Sequence, residues 1–434
     1  GRQRRHRAPH TRARRGAGGY VTMPPWAPAN ITHVILDLDG TLINTEQLVD
    51  EVVGAVLRKH DASLDTKSIR NAIEGVRGMR PLDGSRIIIE NLKLRKDGAA
   101  DGPALTAEEL LAETEVELNG RWGEVNTMPG AERLLALLRR HEVPTALATS
   151  TPAEYLSAKL ASHPNLLEHV ACVCTGDEVR RGKPDPSIFL LAAERLGVDD
   201  PSSCLVVEDT PLGCQAAKAA GMRVLAVPSI QNHDLYGGHA DELCRSLYDV
   251  DPARWGLPAF DDWRELVPGM SLDRYLPLTT PIRMRGAVVE GFGRGSKMLG
   301  IPTANLDVAP LKPQADALAP GIYFGWAAVA KEDPRDVGGG PHRMVMSIGW
   351  NPFFDNAKKT IEPWLLHEFG GDFYDQELRL NVLGYIRPEA NFTTLEDLVK
   401  RIHRDAEVAK TCLALEEFAK HADDPFLVEG LVPN

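Results

Sequence analysis

The chain has 434 residues, of which 43% are hydrophobic and 25% charged, a composition that is ordinary for a globular protein and predicts roughly three compact units. A formal net charge of −12 argues against non-specific nucleic-acid binding, and no apolar run approaches the roughly 20 residues of a membrane-spanning helix. The six cysteines include no C-x-x-C pair, which argues against a zinc or redox site and favours a reducing compartment.

The first 28 residues predict a disordered basic arm. Seven arginines and no acidic residue lie within the first 26 positions, and the first acidic residue is Asp37. Such a segment is typical of a basic arm or a transit peptide, and it also fits translated upstream sequence, because Met23 precedes the expected start of order. We favour the last interpretation and expect a cytoplasmic protein, whereas a transit peptide would indicate a plastid.

An apolar strand ends in two aspartates in the segment HVILDLDGTL, residues 33–42. If the strand continues, Asp37 and Asp39 lie two residues apart and leave the same face. Two such carboxylates remain ionised together only beside a cation, typically Mg²⁺. The alternative is a solvated turn with ordinary aspartates.

Helical spacing follows between Thr41 and Pro129, for example in TAEELLAETEVELNGRW, residues 106–122. The glycine-rich segment EGVRGMRPLDG, residues 74–84, is polar enough to face a site, where Arg77 could contact a substrate. A solvated loop between helices is the alternative.

Three later segments also place polar residues after apolar strands or before helices. VPTALATSTP ends in Thr149 and Ser150, Lys183 precedes a helix, and CLVVEDTPLG carries Glu208 and Asp209. This alternation of strands and helices predicts a doubly wound parallel sheet, in which ligands bind at the carboxyl ends of the strands. The acids there require Mg²⁺ and Lys183, and a phosphate would complete the site.

In order and in spacing, these four segments resemble the motifs of the haloacid dehalogenase superfamily of phosphatases. The resemblance implies an α/β phosphatase domain over residues 29–264, with a helical cap at about 46–126 that excludes water and selects the substrate.

The resemblance also implies a role for each motif residue. Asp37 would be the nucleophile that becomes an aspartyl phosphate, and Asp39 the general acid and base. Thr149, with Ser150 beside it, would bind the phosphoryl group, and Lys183 would neutralise Asp37 and the phosphate. The implied metal site consists of Asp37, the Asp39 carbonyl, Asp209 and, in support, Glu208.

The second half begins after a proline- and aspartate-rich stretch. We expect a linker at residues 265–280 and a second domain at 281–434. Short β segments separated by glycine and proline turns, with no helix for about a hundred residues, predict a closed barrel. A helix follows, started by a capping pair of Thr393 and Glu396. Its apolar stripe is Leu395, Leu398, Ile402, Ala406, Ala409 and Leu413.

The loop GFGRGSKMLGIPTAN, residues 291–305, has the composition of a phosphate-binding loop but matches neither the P-loop nor the dinucleotide pattern. Thr303 and Asn305 share a face if extended and offer hard oxygen ligands for Mg²⁺, while Lys297 adds positive charge. A flexible hairpin is the alternative.

Residues 282–415 resemble riboflavin kinase, with the segments GFGRGS, PTAN, EPWLLHEF, DFYDQEL and GYIRPEANF. The resemblance implies that Gly291, Lys297, Thr303 and Asn305 hold ATP and Mg²⁺. It further implies that Glu362 is the base that deprotonates the 5′-hydroxyl of riboflavin. The remaining implied contacts are Leu365, His367 and Tyr374 near ATP, and Arg387 and Phe392 at the flavin. His367 could equally be a packing residue, and Asp375 departs from the glycine expected there.

The order of the two halves resembles that of plant-type bifunctional riboflavin kinase/FMN phosphatases. We therefore expect Mg²⁺-dependent conversion of riboflavin and ATP into FMN, and hydrolysis of FMN back to riboflavin. The alternatives are a phosphatase for another small phosphomonoester, such as a sugar phosphate or pseudouridine phosphate, and a non-catalytic flavin-binding module. We expect small-molecule substrates, with no nucleic acid or membrane partner; the sequence leaves the oligomeric state open, a monomer included.

Overall fold

The computed structural model describes residues 30–96, 102–230, 232–266, 274–290, 301–330, 341–350, 359–390, 392 and 394–428. The predicted basic arm lies outside these residues. Within the described residues, no helix combines the length and the apolar character that crossing a bilayer requires.

The first half contains the predicted parallel sheet. Its strands are β1 (His33–Leu36), β2 (Thr145–Ala148), β3 (Cys172–Cys174), β4 (Cys204–Glu208), β5 (Arg223–Ala226) and β6 (Glu242–Leu243). They lie in the order β3-β2-β1-β4-β5-β6, and every neighbouring pair is parallel. Because β1 is central, the aspartates that follow it emerge in the middle of the carboxyl edge.

Helices cover both faces of this sheet, which is why its strands are apolar almost throughout. The core helices are α5 (Ala131–Arg140), α6 (Ala153–Lys159), α7 (Ser187–Arg195) and α8 (Pro211–Ala219). Alternate residues of β1 enter opposite cores: Val34 and Leu36 pack in one cluster, Ile35 in the other. The doubly wound α/β fold predicted from the sequence is confirmed.

The segment between β1 and α5 forms the helical cap. Its helices are α1 (Glu46–His60), α2 (Thr66–Glu74), α3 (Pro81–Leu92) and α4 (Ala107–Asn119). Asp65 accepts a hydrogen bond at the start of α2, and Thr106 and Glu109 form a capping box at α4. Hydrophobic residues of the cap, such as Val56 and Leu110, pack in the same cluster as one face of the sheet.

The second half is an antiparallel β structure. Its strands are β7 (Arg264–Glu265), β8 (Arg274–Val289), β9 (Asn305–Leu306), β10 (Gly321–Ala330), β11 (His342–Trp350), β12 (Lys359–Leu365) and β13 (Glu377–Arg387). The order is β12-β11-β10-β13-β8-β7, and β9 pairs with β8. The Ala304 N–H donates to the Pro363 carbonyl at 2.9 Å, so the segment leading into β9 returns to β12 and the sheet closes on itself.

Strand β8 begins inside the stretch predicted to be a linker. Tyr275 and Leu276 are buried, and Arg264 pairs with Tyr275. Pro277 and Pro281 suggested a linker, and this prediction was wrong at the start of β8. The pairing of β13 with β8 changes register in this region, between Val382 and Gly384. A bulge tolerates proline because local ladder hydrogen bonds are already interrupted.

The helices of the second half differ from prediction in three details. They are α9 (Lys312–Asp316), α10 (Leu395–Cys412), α11 (Glu416–Ala419) and α12 (Pro425–Val428). The short helix α9 interrupts a stretch expected to be helix-free. Helix α10 is capped by Thr394, whose side chain accepts from the Asp397 N–H, so the cap lies one position later than predicted; Thr393 itself lies outside the described residues. The predicted stripe is buried only from Ala406 onward, and Leu395 is 60% exposed.

Candidate active sites

The first candidate site lies at the carboxyl edge of the parallel sheet, around Asp37. Lys183 Nζ lies 2.5 Å from Asp37 Oδ1 and 2.8 Å from Glu208 Oε1, and all three residues are buried. Burial raises the pKa of Asp37 to about 7, although the Lys183 charge opposes this shift. Burial opposes the charged form of Lys183, but the charges of Asp37 and Glu208 raise its pKa above the ordinary value.

Asp39 does not share the surroundings of Asp37, in contrast to the sequence expectation that one cation serves both. Its carboxylate accepts hydrogen bonds from Thr45 Oγ1 at 2.8 Å, Thr151 Oγ1 at 2.7 Å and Lys159 Nζ at 2.8 Å. Strand β1 ends at Leu36, so the two-residue alternation no longer applies at Asp39.

The electrostatics of Asp39 also differ from those of Asp37. Burial favours the neutral acid, but the charge and hydrogen bond of Lys159 outweigh it and leave the pKa of Asp39 below its ordinary value. Thr149 is fully buried and lies beside Asp39, with its Oγ1 3.4 Å from Asp39 Oδ2. Each aspartate therefore has its own lysine.

A divalent cation fits between three buried carboxylates. Ligand atoms of Asp37, Glu208 and Asp209 lie within 4.8 Å of one another. Asp209 Oδ2 is buried and has no hydrogen-bond partner among the described residues, which is costly for a carboxylate without a cation. Burial raises the pKa of Asp209 well above its ordinary value, as expected for an acid that lacks a counter-charge. Carboxylate oxygens are suitable ligands for Mg²⁺.

Two glycines make this carboxylate cluster possible. Gly40 has a φ of +79°, and a Cβ there would lie 2.2 Å from Asp209 Oδ2. A Cβ at Gly213, in the first turn of α8, would lie 1.7 Å from Glu208 Oε1. Glu208 Oε2 in turn accepts from the N–H groups of Asp209 and Thr210, so Glu208 is held by the start of α8 as well as by Lys183.

The cap closes a cleft over these residues. The apolar part of its wall is contributed by Val49, Val53, Ile73, Val76, Ile88, Leu110, Leu111, Leu118 and Trp122. The 74–84 segment lines the cleft, as the sequence suggested, and Ser150 Oγ donates to the Gly78 carbonyl at 2.8 Å. Arg77 also lines it, but its guanidinium is paired with Glu46 at 3.0 Å and Asp50 at 2.5 Å.

Sequence reasoning missed four polar residues of this site: Thr45, Glu46, Thr151 and Lys159. Thr151 follows the predicted Thr149 and Ser150 in the same polar run, and this signal could have been extended by one residue. Lys159 is the last residue of α6, where a lysine ordinarily faces solvent and favours the helix dipole. Its side chain is only 10% exposed, which no local pattern reveals.

The second candidate site lies where β9 meets β12. Thr303 and Asn305 flank Ala304, whose N–H donates to the carbonyl of Pro363, and Glu362 immediately precedes Pro363. The predicted metal ligands and the predicted base are thus brought to one edge of the barrel. Burial raises the pKa of Glu362 above its ordinary value. Gly291 and Lys297 lie outside the described residues.

The other predicted kinase residues divide between packing and exposed positions. The Leu365 side chain is 3% exposed and belongs to the barrel core. His367 is exposed and stacks on His342, with ring centroids 4.1 Å apart, so a packing contact accounts for its orientation. Tyr374 is 39% exposed and precedes Asp375, which has a φ of 61° at the position where the sequence departs from glycine.

Arg387 and Phe392 lie together, as the sequence predicts for two contacts of one ligand. The Arg387 guanidinium carbon is 5.8 Å from the centre of the Phe392 ring. Arg387 is fixed by buried Asp405 of α10, with N–O distances of 2.6 to 3.0 Å. This ion pair orients the guanidinium, and sequence reasoning did not predict it.

Comparison with known proteins assigns a class to each half. Residues 31–221 match the family model of haloacid dehalogenase-like hydrolases, and residues 278–413 match that of riboflavin kinase. The first half is therefore a haloacid dehalogenase-like hydrolase with a helical cap, and the second is a riboflavin kinase-type domain.

Individual relatives extend this assignment to the whole chain. A bifunctional riboflavin kinase/FMN phosphatase of Arabidopsis thaliana is 42% identical over 399 residues, covering 91% of this chain and 97% of the relative. Mouse riboflavin kinase is 47% identical over 34% of this chain and 90% of its own. Glycerol-3-phosphatase 2 of Arabidopsis thaliana is 37% identical over 54% of this chain and 94% of its own. The chain belongs to the family of bifunctional riboflavin kinase/FMN phosphatases.

Proposed function

We propose that the second half phosphorylates riboflavin with ATP to give FMN and ADP, and that the first half hydrolyses FMN to riboflavin and phosphate. The membership of the family over 91% of the chain is the observation that carries this proposal. Both halves also retain the acidic and basic residues that their chemistry requires.

The first half acts in two steps. An Asp37 carboxylate oxygen attacks phosphorus, the bond from phosphorus to the 5′-oxygen breaks, and Asp39 donates a proton to that oxygen, which releases riboflavin. Asp39 then takes a proton from water, which attacks the aspartyl phosphate and restores Asp37 with release of phosphate. Lys183 holds Asp37 in position and offsets the phosphate charge. Asp37, Asp209 and the Asp39 carbonyl would hold Mg²⁺, which offsets negative charge at the phosphoryl group.

The hydrogen bonds of Asp39 suit its role as the base of the second step. Thr45, Thr151 and Lys159 stabilise its carboxylate, the form that accepts a proton from water in the second step. The cap shields the site from bulk water, and it contacts the core through the hydrogen bond from Ser150 to the Gly78 carbonyl.

The second half transfers a phosphoryl group directly. Glu362 accepts the proton of the riboflavin 5′-hydroxyl, whose oxygen attacks the γ-phosphorus of ATP while ADP leaves. Thr303 and Asn305 would hold the Mg²⁺ that accompanies ATP and offsets its charge. Arg387 and Phe392 contact the flavin, with Arg387 oriented by Asp405.

The apolar wall of the cleft supports FMN as the substrate of the first half. The side chains of Ile88, Leu110 and Trp122 line the part of the cleft formed by the cap. A flat aromatic ring system gains from burial against such a wall, whereas glycerol or a sugar offers hydroxyl groups that would lose hydrogen bonds to water.

The alternative substrate is another small phosphomonoester. The similarity of the first half to a glycerol-3-phosphatase supports this alternative. Phosphate release by the purified chain should be compared for FMN, glycerol 3-phosphate, a sugar phosphate and pseudouridine 5′-phosphate. We expect the highest kcat/KM for FMN, and a higher value for any other ester would reassign the substrate. In parallel, riboflavin with ATP and Mg²⁺ should yield FMN.

We further propose a cytoplasmic location, with a plastid as the alternative if the basic arm is a transit peptide. Small molecules would be its only substrates, and the net charge of −12 argues against a nucleic-acid partner. Imaging of the full chain carrying a C-terminal fluorescent tag would test the location.

A further inference from the structure

The two halves are packed against each other through aromatic side chains. Tyr385 of β13 is fully buried, and Tyr248 of the first half stacks on it with ring centroids 5.3 Å apart. Trp263 lies 6.0 Å from the same ring. The Tyr385 hydroxyl donates to Asp249 Oδ1 at 3.3 Å. Strand β7, the continuation of the first half, pairs with β8 of the barrel. The end of β13 therefore rests in part on Tyr248 and Asp249, which an isolated kinase domain would lack.

Arg245 extends this interface toward the kinase site. It follows β6 of the parallel sheet, and its guanidinium Nη1 donates to the backbone carbonyl of Glu389. Burial raises the pKa of the Glu389 carboxyl, and the Arg245 charge acts against this rise. A residue of the phosphatase half thus binds the 388–390 loop that leaves β13.

The 388–390 loop lies beside the proposed catalytic groups of the kinase. It directly follows Arg387, the proposed flavin contact. The Glu389 side chain lies over Gly349 of β11, where a Cβ would be 2.1 Å from Glu389 Oε1. Gly349 pairs with Thr360 of β12, two residues before Glu362. The charge of Glu362 also raises the pKa of Glu389, as expected for neighbouring acids.

We propose that Arg245 is a positioning residue of the kinase: it anchors the 388–390 loop and thereby holds the flavin-contacting Arg387 in place. The inference rests on the proposed kinase activity of the second half. A guanidinium bound to a carbonyl at the end of β13 restricts the backbone from which Arg387 projects. The loop lies on the flavin side of the proposed site, so Arg245 acts on riboflavin binding and not on ATP binding.

The test compares full-length variants by the initial rate of ADP formation, which hydrolysis of FMN does not reverse. Arg245→Met should raise the KM for riboflavin roughly 3- to 30-fold, the range expected when a charge-assisted hydrogen bond is lost in part. The KM for ATP and the hydrolysis of FMN should remain within about twofold, because a hydrogen bond to the 388–390 loop contributes little to either. Arg245→Lys, which can still donate to the carbonyl, should give a smaller increase.

Arg254→Met is the matched control, because Arg254 pairs with Glu242 within the first half. It should leave the KM for riboflavin unchanged. An unchanged KM in folded Arg245→Met would overturn the proposal. A parallel change in the KM for riboflavin, the KM for ATP and the hydrolysis of FMN would also overturn it, because that result indicates separation of the two halves and not a local effect on the 388–390 loop. If Arg245→Met does not fold, Arg245→Lys decides by the same comparison. A wild-type chain that forms no FMN would refute the proposed function itself.

Discussion

At the scale of single residues, the separation of the two sites can be tested at Asp37. Asp37→Asn preserves the volume of the side chain but removes the carboxylate that attacks phosphorus, so FMN hydrolysis should disappear. Phosphorylation of riboflavin should persist, because Glu362 and Thr303 lie in the other half. Both activities can be measured on the same preparation, as phosphate released from FMN and FMN formed from riboflavin. Loss of both in a folded variant would contradict the two-site account.

Lys159 is a second residue whose effect can be predicted. Lys159→Met removes the cation that lies 2.8 Å from Asp39 and most strongly opposes burial, so the pKa of Asp39 should rise, although the hydrogen bonds from Thr45 and Thr151 remain. We expect FMN hydrolysis to fall roughly tenfold or more, since a hydrogen bond to a charged group is worth about 1.5 to 3 kcal/mol. The pH at which hydrolysis reaches its maximum should rise.

Two variants serve as controls for Lys159→Met: one keeps the positive charge at position 159, and the other removes an ion pair elsewhere in the domain. Lys159→Arg retains the cation and should lose less activity. Lys218→Met removes a similar ion pair, with Asp241 at 2.7 Å, on another part of the domain and should leave hydrolysis unchanged. Equal losses in Lys159→Met and Lys218→Met would mean that general destabilisation, and not Asp39, is responsible.

Glu362 predicts the pH dependence of the kinase. Burial raises the pKa of this glutamate, and a general base acts only when ionised. The kcat/KM for riboflavin should therefore rise with pH through a midpoint above 4.5, the ordinary value of a glutamate. Glu362→Gln should slow FMN formation by roughly 10²- to 10⁴-fold and abolish the rise of kcat/KM with pH. Glu368→Gln, at an exposed neighbouring position, should behave as wild type. If kcat/KM for riboflavin still rises with pH in Glu362→Gln, another residue is the base.

The residues that sequence reasoning found and missed differ in a physical way. Asp37, Glu208 and Asp209 are charged residues at or directly after the ends of buried strands, where an unpaired charge is unfavourable. They converge because the carboxyl ends of parallel strands lie at one edge of the sheet. Lys159 ends helix α6 and reaches Asp39 from 120 positions away in the chain, so their contact depends on tertiary packing. Asp405 likewise meets Arg387 across two elements. Such pairs depend on packing, which a single sequence does not encode locally.

At the scale of elements, the parallel sheet was predictable because β1, β2 and β4 are buried apolar runs, each followed or ended by a functional residue. The start of the barrel, by contrast, was not predictable from the sequence. The alternation in RYLPLTTP is interrupted by prolines. The burial of Tyr275 and Leu276 depends on packing and on strand pairing, of Tyr275 with β7 and of Leu276 with β13. Closure of the barrel depends on the contact of Ala304 with Pro363, which joins segments 59 positions apart in the chain.

The boundary can be tested with two fragments. A fragment of residues 262–434 contains β7 and all of β8, and it should fold and phosphorylate riboflavin. A fragment of residues 281–434 lacks the first seven residues of β8, including two buried side chains, and should unfold at a lower temperature or fail to fold. Thermal unfolding by circular dichroism and FMN formation are the measurements. Equal stability of the two fragments would place the boundary back at the linker predicted from the sequence.

At the scale of the whole molecule, the two halves act on one metabolite in opposite directions and also touch. Besides the contacts of Tyr385 and Glu389, Lys312 of the barrel donates to Gln47 of the cap helix α1 at 2.5 Å. The sequence predicted two domains in the observed order but no docking, because Tyr248 and Trp263 look like isolated aromatics in an ordered tail. Both sites are proposed to use Mg²⁺, so the supply of substrate, and not of cation, sets the net direction.

The central claim is that one chain makes and hydrolyses FMN. The purified full chain should be incubated with riboflavin, Mg²⁺ and excess ATP, and FMN, ADP and free phosphate followed together. FMN should rise to a steady level while ADP and phosphate continue to accumulate, because each FMN that is hydrolysed returns riboflavin to the kinase. Release of phosphate that ends once riboflavin is consumed would contradict the claim and reassign the substrate of the first half.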